Sequence, residues 1–509
     1  MSDASLGPGS LATLRDAVLR GREPPPAPGL TRLRAYPWIV VGTACIGSFM
    51  GQLDSSIAQM VLPRLEHEFS ARLSTVSWVA IVYLLVMAAF LPIFGRVADM
   101  FGRKLLYTGG FLLFILGSAL CGFAPNLPVL IACRVLQAMG AALLSSNSIA
   151  IIVMAVPADR RGRALGVQSA VQAVGLSAGP TIGGLLMDTL GWQWVFWINV
   201  PFGLAGALAA WFVIPLTQEL PRGSRFDWMG AVLIVPALAA LMTVLNQGNA
   251  WGIASPALLG CALLAMTLLT LFVRFERHAE MPLIDFSLFR HGAFASGNIA
   301  GLLAYAALFG IFFLMPFVFV RIYGDTALAA GLRLSIVPVM LGVIAPIGGA
   351  LSDRLGSRSA TVSGMLACVT GLVLLFTVMD GSPDSLMLVM LALAIFGFGQ
   401  GLFVSPNNSS IMASAPANLT GEAGGLLNVM RCLGIGVGIA ATSSILSWRL
   451  EALTGHGDGT INVATHALLQ ASRDSILLLV LFAAAAGAVS FLRGHTASPT
   501  AQRAASRSR

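Results

Sequence analysis

The feature that most constrains this chain is a series of apolar runs, each long enough to cross a bilayer. Spanning a hydrocarbon core takes roughly 20 apolar residues as helix. Candidate spans fall at 37–57, 76–95, 105–123, 128–153, 164–187, 194–214, 228–247, 255–273, 295–318, 331–351, 360–379, 385–405, 423–447 and 475–492. Inside lipid the backbone must satisfy its own hydrogen bonds, so runs of this length read as helices. The expected fold class is an all-α integral membrane protein with 14 transmembrane helices. Composition agrees: 57% of the 509 residues are hydrophobic and 10% are charged, against about 25% charged in soluble domains. The net charge of +8 does not indicate nucleic acid, because the basic residues sit in short loops rather than on one patch.

Those loops set direction. With the N-terminus inside, 22 of the 30 Lys and Arg fall on the inner side and six in outer loops, while Arg134 and Arg431 lie within spans. Positive charge stays cytoplasmic, so both termini are expected in the cytoplasm of an inner-membrane, multi-pass protein. Residues 1–35 are polar and Pro-rich, with no apolar core of the kind a signal peptide has. They read as a disordered tail, as do residues 494–509. All six cysteines fall inside apolar runs without metal-like spacing. They read as core residues, and no metal site is expected.

An internal repeat places an insertion. Gly95, Asp99 and Gly102 in the loop GRVADMFGRK map onto Gly349, Asp353 and Gly356 in GALSDRLGSR at a constant offset of 254. Span 2 therefore matches span 10, and the halves are displaced by eight spans. The simplest account is 6+2+6: one six-helix bundle at 36–215, two inserted helices with their loops at 216–280, and a second bundle at 281–493. Related six-span halves around a midplane cavity are a common transporter plan.

Several stretches carry a resemblance. LDSSIAQMVLP (Leu53–Pro63), WVAIVYLL (Trp78–Leu85), GRVADMFGRK (Gly95–Lys104), RVLQAMGAA (Arg134–Ala142) and GLSAGPTIGG (Gly175–Gly184) stand on the first five spans or their loops. WQWVFWINVP (Trp192–Pro201), FDWMG (Phe226–Gly230), PLIDFSLFR (Pro282–Arg290) and GEAGGLLNVMRCLG (Gly421–Gly434) follow. Together, over about residues 37–492, they resemble the 14-span drug:proton antiporter branch of the major facilitator superfamily. The resemblance implies the major facilitator fold and multidrug efflux. It also implies a proton-coupling role for Arg134, a gating role for the Gly95–Lys104 loop, and a switching bend in the span 5 antiporter motif. Gln59 stands where the family has Asn, and Ala138 where it has Gly. Span 10 lacks the buried carboxylate found in some members that export divalent cations, which argues against dicationic cargo.

The residues themselves carry the chemistry. A charge at mid-span costs about 2.5–3.5 kcal/mol on insertion scales, so intramembrane ionisable groups are functional by default. Asp54 is the one carboxylate well inside a span, and hence the candidate proton carrier. It lies ~27 Å along span 1 from the inner end, and Arg134 ~9 Å along span 4 from the outer end. Both are then in the outer half of the bilayer and can pair. Gln137 shares a helical face with Arg134 that could line a cavity. Arg431 finds no remaining span carboxylate, which leaves backbone carbonyls or a substrate carboxylate as partners. Gly175, Gly179 and Gly183, with Pro180 and Gly184 beside them, form a small-residue stripe and a kink. Asp99 can pair with Arg96 or Arg103, and Asp353 and Arg358 occupy the matching loop. These loops are candidate latches for the inner side. Asn298, Tyr305, Asn408 and Asn428 are candidate cavity residues.

The expected activity is proton-coupled antiport, exporting amphipathic organic compounds by alternating access. The alternative on the same fold is a dedicated exporter of an endogenous metabolite, lipid or siderophore. A remote alternative is a polytopic membrane enzyme or sensor, but that would need clustered carboxylates, His or Cys at one membrane face, and the sequence shows no such cluster nor a sizeable soluble domain. No cofactor is expected, and the energy source is a proton gradient. The partners are a small-molecule substrate, the proton and the lipid bilayer. Nothing in the sequence indicates a periplasmic adaptor.

Overall fold

The computed structural model describes residues 23–492 apart from 24, 158–159, 218–226, 253, 280–281, 417–418, 456–459 and 461–462. The described chain is built from long helices. They are α1 Tyr36–Glu68, α2 Trp78–Phe101, α3 Arg103–Gly122, α4 Leu127–Ala155, α5 Arg161–Thr189, α6 Asn199–Val213 and α7 Trp228–Trp251. The series continues with α8 Pro256–Glu276, α9 Gly292–Phe317, α10 Ile336–Leu355, α11 Ser357–Val378, α12 Leu386–Ser414, α13 Thr420–Thr454 and α14 Thr465–Leu492. Each expected span coincides with one helix. Thirteen are long and apolar enough to cross a membrane. The helix outside that count, α1, has 33 residues; Gln52, Asp54 and Gln59 dilute its apolar character. Most helices overrun the expected spans because polar residues at their ends remain helical beyond the hydrocarbon.

Local chemistry sets several ends. Asn126 caps α4 by accepting from Val129 N, and Ser255 caps α8 by accepting from Leu258 N. Gly102 and Gly356 end α2 and α10 with φ of 102° and 86°, a region that suits glycine. The two loops of the repeat therefore turn in the same way.

Packing repeats at the same interval. In the first half α1 packs on α4, α5 and α6; α2 on α4; and α3 on α4 and α6. In the second half α9 packs on α12, α13 and α14; α10 on α12; and α11 on α12 and α14. Each of these six pairs recurs eight helices later. The halves meet along two seams, α2 with α13 and α5 with α10, and where α1 touches α9. The inserted α7 lies over the first seam, against both α2 and α13. Its buried Asn246 donates to Ser74 O and accepts from Ser77 Oγ. The α8 helix packs on α7 and turns Leu259, Leu263, Leu264 and Met266 outward.

Two parts of the chain differ from expectation. The tail expected through residue 35 is packed against the bundle at its end: Glu23 is 7% exposed, and its carboxylate accepts from Leu105 N and Thr217 N. The helix N-terminus of α3 draws that carboxylate in. Residues 1–22 and 494–509 of the expected tails lie outside the described residues. The cysteines behave as core residues: Cys45, Cys121, Cys368 and Cys432 are buried, Cys133 and Cys261 half-buried, and all six are free.

Candidate functional site: a buried ion pair and the seams around it

Asp54 and Arg134 meet, as their depths require. Arg134 Nη1 lies 2.7 Å from Asp54 Oδ2, with the side chains 1% and 0% exposed. The pair is wrapped by polar groups from the rest of the first half. Gln137 Nε2 donates to Asp54 Oδ1 at 2.8 Å, and Asn199 Nδ2 donates to the same oxygen at 3.2 Å. Arg134 also donates from Nε to Val79 O at 3.1 Å and from Nη1 to Gln137 Oε1 at 2.6 Å. Ser118 Oγ accepts from Gln137 and Asn199 and donates to Phe196 O. The guanidinium lies over the Tyr83 ring, 4.3 Å from its centroid. Five helices, α1, α2, α3, α4 and α6, thus converge on one carboxylate.

Desolvating two charges costs several kcal/mol each, and good geometry with full hydrogen bonding must offset it. Here both carboxylate oxygens and the guanidinium are partnered. Protonating Asp54 would remove the charge that holds Arg134 and free the amides around it. Gln137 is therefore a correction to the sequence reading: it belongs to the ion pair and is 0% exposed, rather than lining a cavity. Asn199, Ser118 and Tyr83 are absent from the sequence-based set. Their signal was available: Asn199 is a polar residue in the apolar run WQWVFWINVP.

Among the described residues the second half has no such cluster. A Cβ on Gly117 would meet the Gln137 backbone, and one on Gly371 the Phe396 backbone. One on Gly175 would meet Phe49 O, and one on Gly434 Leu302 O. These matched approaches make Phe396, Leu393 and Ala307 the counterparts of Gln137, Arg134 and Asp54. All three are apolar and buried.

The span 5 glycines divide between two neighbours. Gly175, Gly179 and Gly183 seat α1, where added Cβ atoms would strike Phe49 O, Ser56 Oγ and Ile57. Gly184 instead meets Ala327 O, and Pro180 O meets Gly331, in the short helix Ala327–Leu334 of the other half. Further bonds join the halves at the same end. Asp188 accepts from Ala327 N and Leu328 N, Thr181 and Ser335 hydroxyls lie 2.7 Å apart, and buried Glu66 accepts from Thr460. Arg321 Nη2 also donates to Pro63 O. All lie at the end whose loops are poor in Lys and Arg.

The Major Facilitator Superfamily model matches residues 44–439. The chain belongs to the Major Facilitator Superfamily. It is 34% identical over 417 residues to "Riboflavin transporter RibZ" of Clostridioides difficile, covering 81% of this chain and 89% of that protein. It is 31% identical over 444 residues to "Multidrug resistance protein Stp" of Mycobacterium tuberculosis, covering 84% and 80%. Among solved structures, a bacterial homologue of the human lysosomal transporter Spinster, in an inward-facing, unoccupied conformation, matches with a TM-score of 0.65 at 17% identity. That match covers 92% of this chain and 98% of the other. The chain is a membrane transporter of the drug-transporter branch, and not an enzyme.

The superfamily loop carries an ion pair of its own here. Asp99 forms an ion pair with Arg103, four residues on, and Arg103 N donates to Thr217 Oγ1. Gly95 and Gly102 permit the turn. In the matching loop Arg358 lies over the Phe491 ring at 4.5 Å; the Asp353 side chain lies outside the described residues. The cavity candidates separate. Asn298 is 1% exposed and donates to Phe294 O, inside the core rather than on a wall. Asn428 donates to Gly424 O on its own helix. Tyr305 packs against the core, partly buried. Asn408 is half-buried beside Asn407, which is buried and donates to Gly297 O. Arg431 is half-buried and makes no hydrogen bond or ion pair among the described residues. Among those residues no group of His, Cys, Asp and Glu is arranged to hold a metal.

Proposed function

We propose that this transporter is a proton-coupled antiporter that exports amphipathic organic compounds by alternating access. The observation that carries the reading is the buried Asp54–Arg134 pair, with Gln137 and Asn199 on the same carboxylate. Asp54 takes a proton from outside as cargo leaves and gives it up inside as cargo binds. A proton on Asp54 would remove the charge that holds Arg134, Gln137 and Asn199, which ties proton uptake and loss to packing. Bonds between the halves at the end poor in Lys and Arg seal that end, so the crevice opens toward the other end. By the charge bias of its loops that other end is cytoplasmic, with both termini there, in an inner membrane. The Asp99 and Asp353 loops close it in the opposite state. The energy source is the proton gradient, without a cofactor.

Proteoliposomes with an imposed pH gradient test this reading. Wild-type protein should accumulate organic cargo against its gradient. Asp54→Asn should bind cargo yet lose the uphill component, and undiminished uphill transport in that variant would overturn the assignment.

A second reading has its own support. The similarity to a riboflavin transporter at 34% identity favours one dedicated, endogenous cargo. Competition among chemically unrelated compounds for the same transport would exclude a dedicated carrier.

A further inference from the structure

We propose that Arg431 is a cargo-binding residue that anchors an organic anion in the crevice between the halves. The inference deepens the transporter reading and rests on it for the existence of a crevice.

Ser443 Oγ of α13 donates to Ser77 Oγ at the outer start of α2, and Arg431 lies 12 residues, ~18 Å, inward of Ser443. The hydrocarbon is about 30 Å thick, so the guanidinium sits near mid-depth. A charge there is expensive, and such residues face a bundle interior or a water-filled path and find a partner. Arg134 has its carboxylate, a carbonyl and an aromatic face. Arg431 has none of these among the described residues: no hydrogen bond, no ion pair and no ring beneath it. Asn428, one turn earlier, is turned to its own helix at Gly424 O.

The direction of the side chain follows from its neighbours. Gly434 and Gly438 press on α9, where Cβ atoms would meet Leu302 O and Ala306 O. Cys432 is buried on the α2 side, within electrostatic reach of Tyr83. Gly436 faces Met242 of α7. At ~100° per residue, Arg431 projects between the α9 face and the α2 face. Those helices belong to opposite halves, so the guanidinium enters the seam between them rather than lipid.

Charge then selects the cargo. Around this seam Asp54 is neutralised by Arg134, and the second half offers Ala307, Leu393 and Phe396 at the matching places. The unbalanced charge at mid-depth is positive. A guanidinium with free donors suits a carboxylate or another oxyanion, which it can grip with two parallel hydrogen bonds. A permanent cation would be repelled. The largely apolar faces of the spans accommodate the organic remainder.

The test is equilibrium binding of two fluorescent probes to purified full-length protein in nanodiscs, with no pH gradient. Carboxyfluorescein is the anion and ethidium the cation. Loss of proton coupling leaves this assay untouched, so the two readings can fail separately. Wild type should bind carboxyfluorescein at least 10-fold more tightly than ethidium. Arg431→Gln should lose at least 10-fold for carboxyfluorescein and leave ethidium unchanged or tighter. Arg431→Lys, which keeps the charge and loses the fork, should fall between. Three results would overturn the proposal: unchanged carboxyfluorescein binding in Arg431→Gln, an equal loss for both probes, or a wild-type preference for ethidium. A fourth is abolition of carboxyfluorescein binding when the nanodisc lipid is changed from zwitterionic to anionic, which would make Arg431 a lipid site.

Discussion

Breaking the Asp54–Arg134 pair from one side and then from both should give strongly non-additive stabilities. The structure sets the magnitude. Both side chains are essentially inaccessible to solvent, at 0% and 1% exposed. Removing one member of such a pair leaves an uncompensated charge, at about 3–5 kcal/mol. Asp54→Asn keeps the shape but leaves Arg134 with Val79 O, Gln137 Oε1 and the Tyr83 ring. Arg134→Gln leaves the carboxylate with two amide donors. The double variant Asp54→Asn/Arg134→Gln buries no charge, and neutral replacement of a buried pair is commonly neutral or stabilising. The expected coupling is therefore about 3 kcal/mol or more, far above the 0.3–0.5 kcal/mol within which independent sites add. Thermal unfolding in detergent reads it through a thiol-reactive dye, because Cys45, Cys121, Cys368 and Cys432 are buried until the bundle opens. Both single variants should unfold well below wild type, and the double variant near it. If the double variant loses as much as the two singles together, the pair is not the unit described here.

Other expectations concern the closed end. Gly184→Ala places a Cβ 2.3 Å from Ala327 O, a backbone atom that cannot swing aside. It should lengthen spin-label distances between the halves at that end, while Gly166→Ala, with nothing within 4 Å, should not. Glu66→Ala removes the acceptor for Thr460 N; the same spin pair should report a broader, longer distribution, and an unchanged one would make the contact incidental. Glu23→Ala frees the Leu105 and Thr217 amides, and hydrogen exchange at the α3 N-terminus should rise several-fold.

Much of this is legible in sequence, for identifiable reasons. Apolar runs fix the helices because lipid permits little else. The Asp54–Arg134 pairing is legible because depth along a helix is simple arithmetic and few charges compete. The repeat is legible because two tight turns need glycine, at Gly102 and Gly356. Gln137, Asn298 and Asn199 are less legible. A polar side chain in a span has one periodicity whether it faces a cavity or a partner, and only the neighbouring helix decides. Gln137 faces Asp54, Asn298 bonds the preceding turn, and Asn199 reaches across from α6. The split of the span 5 glycines is hidden in the same way: Gly183 and Gly184 adjoin in sequence but touch different halves.

The position of α7 also breaks the equivalence of the two seams as seen from the membrane. The α2–α13 seam is roofed by α7, with α8 outside it, whereas among the described residues neither inserted helix packs extensively on the α5–α10 seam. A compound dissolved in the bilayer would thus find a single doorway rather than two. The insertion turns a nearly two-fold molecule into one with a front and a back, and lipophilic cargo should approach from the front.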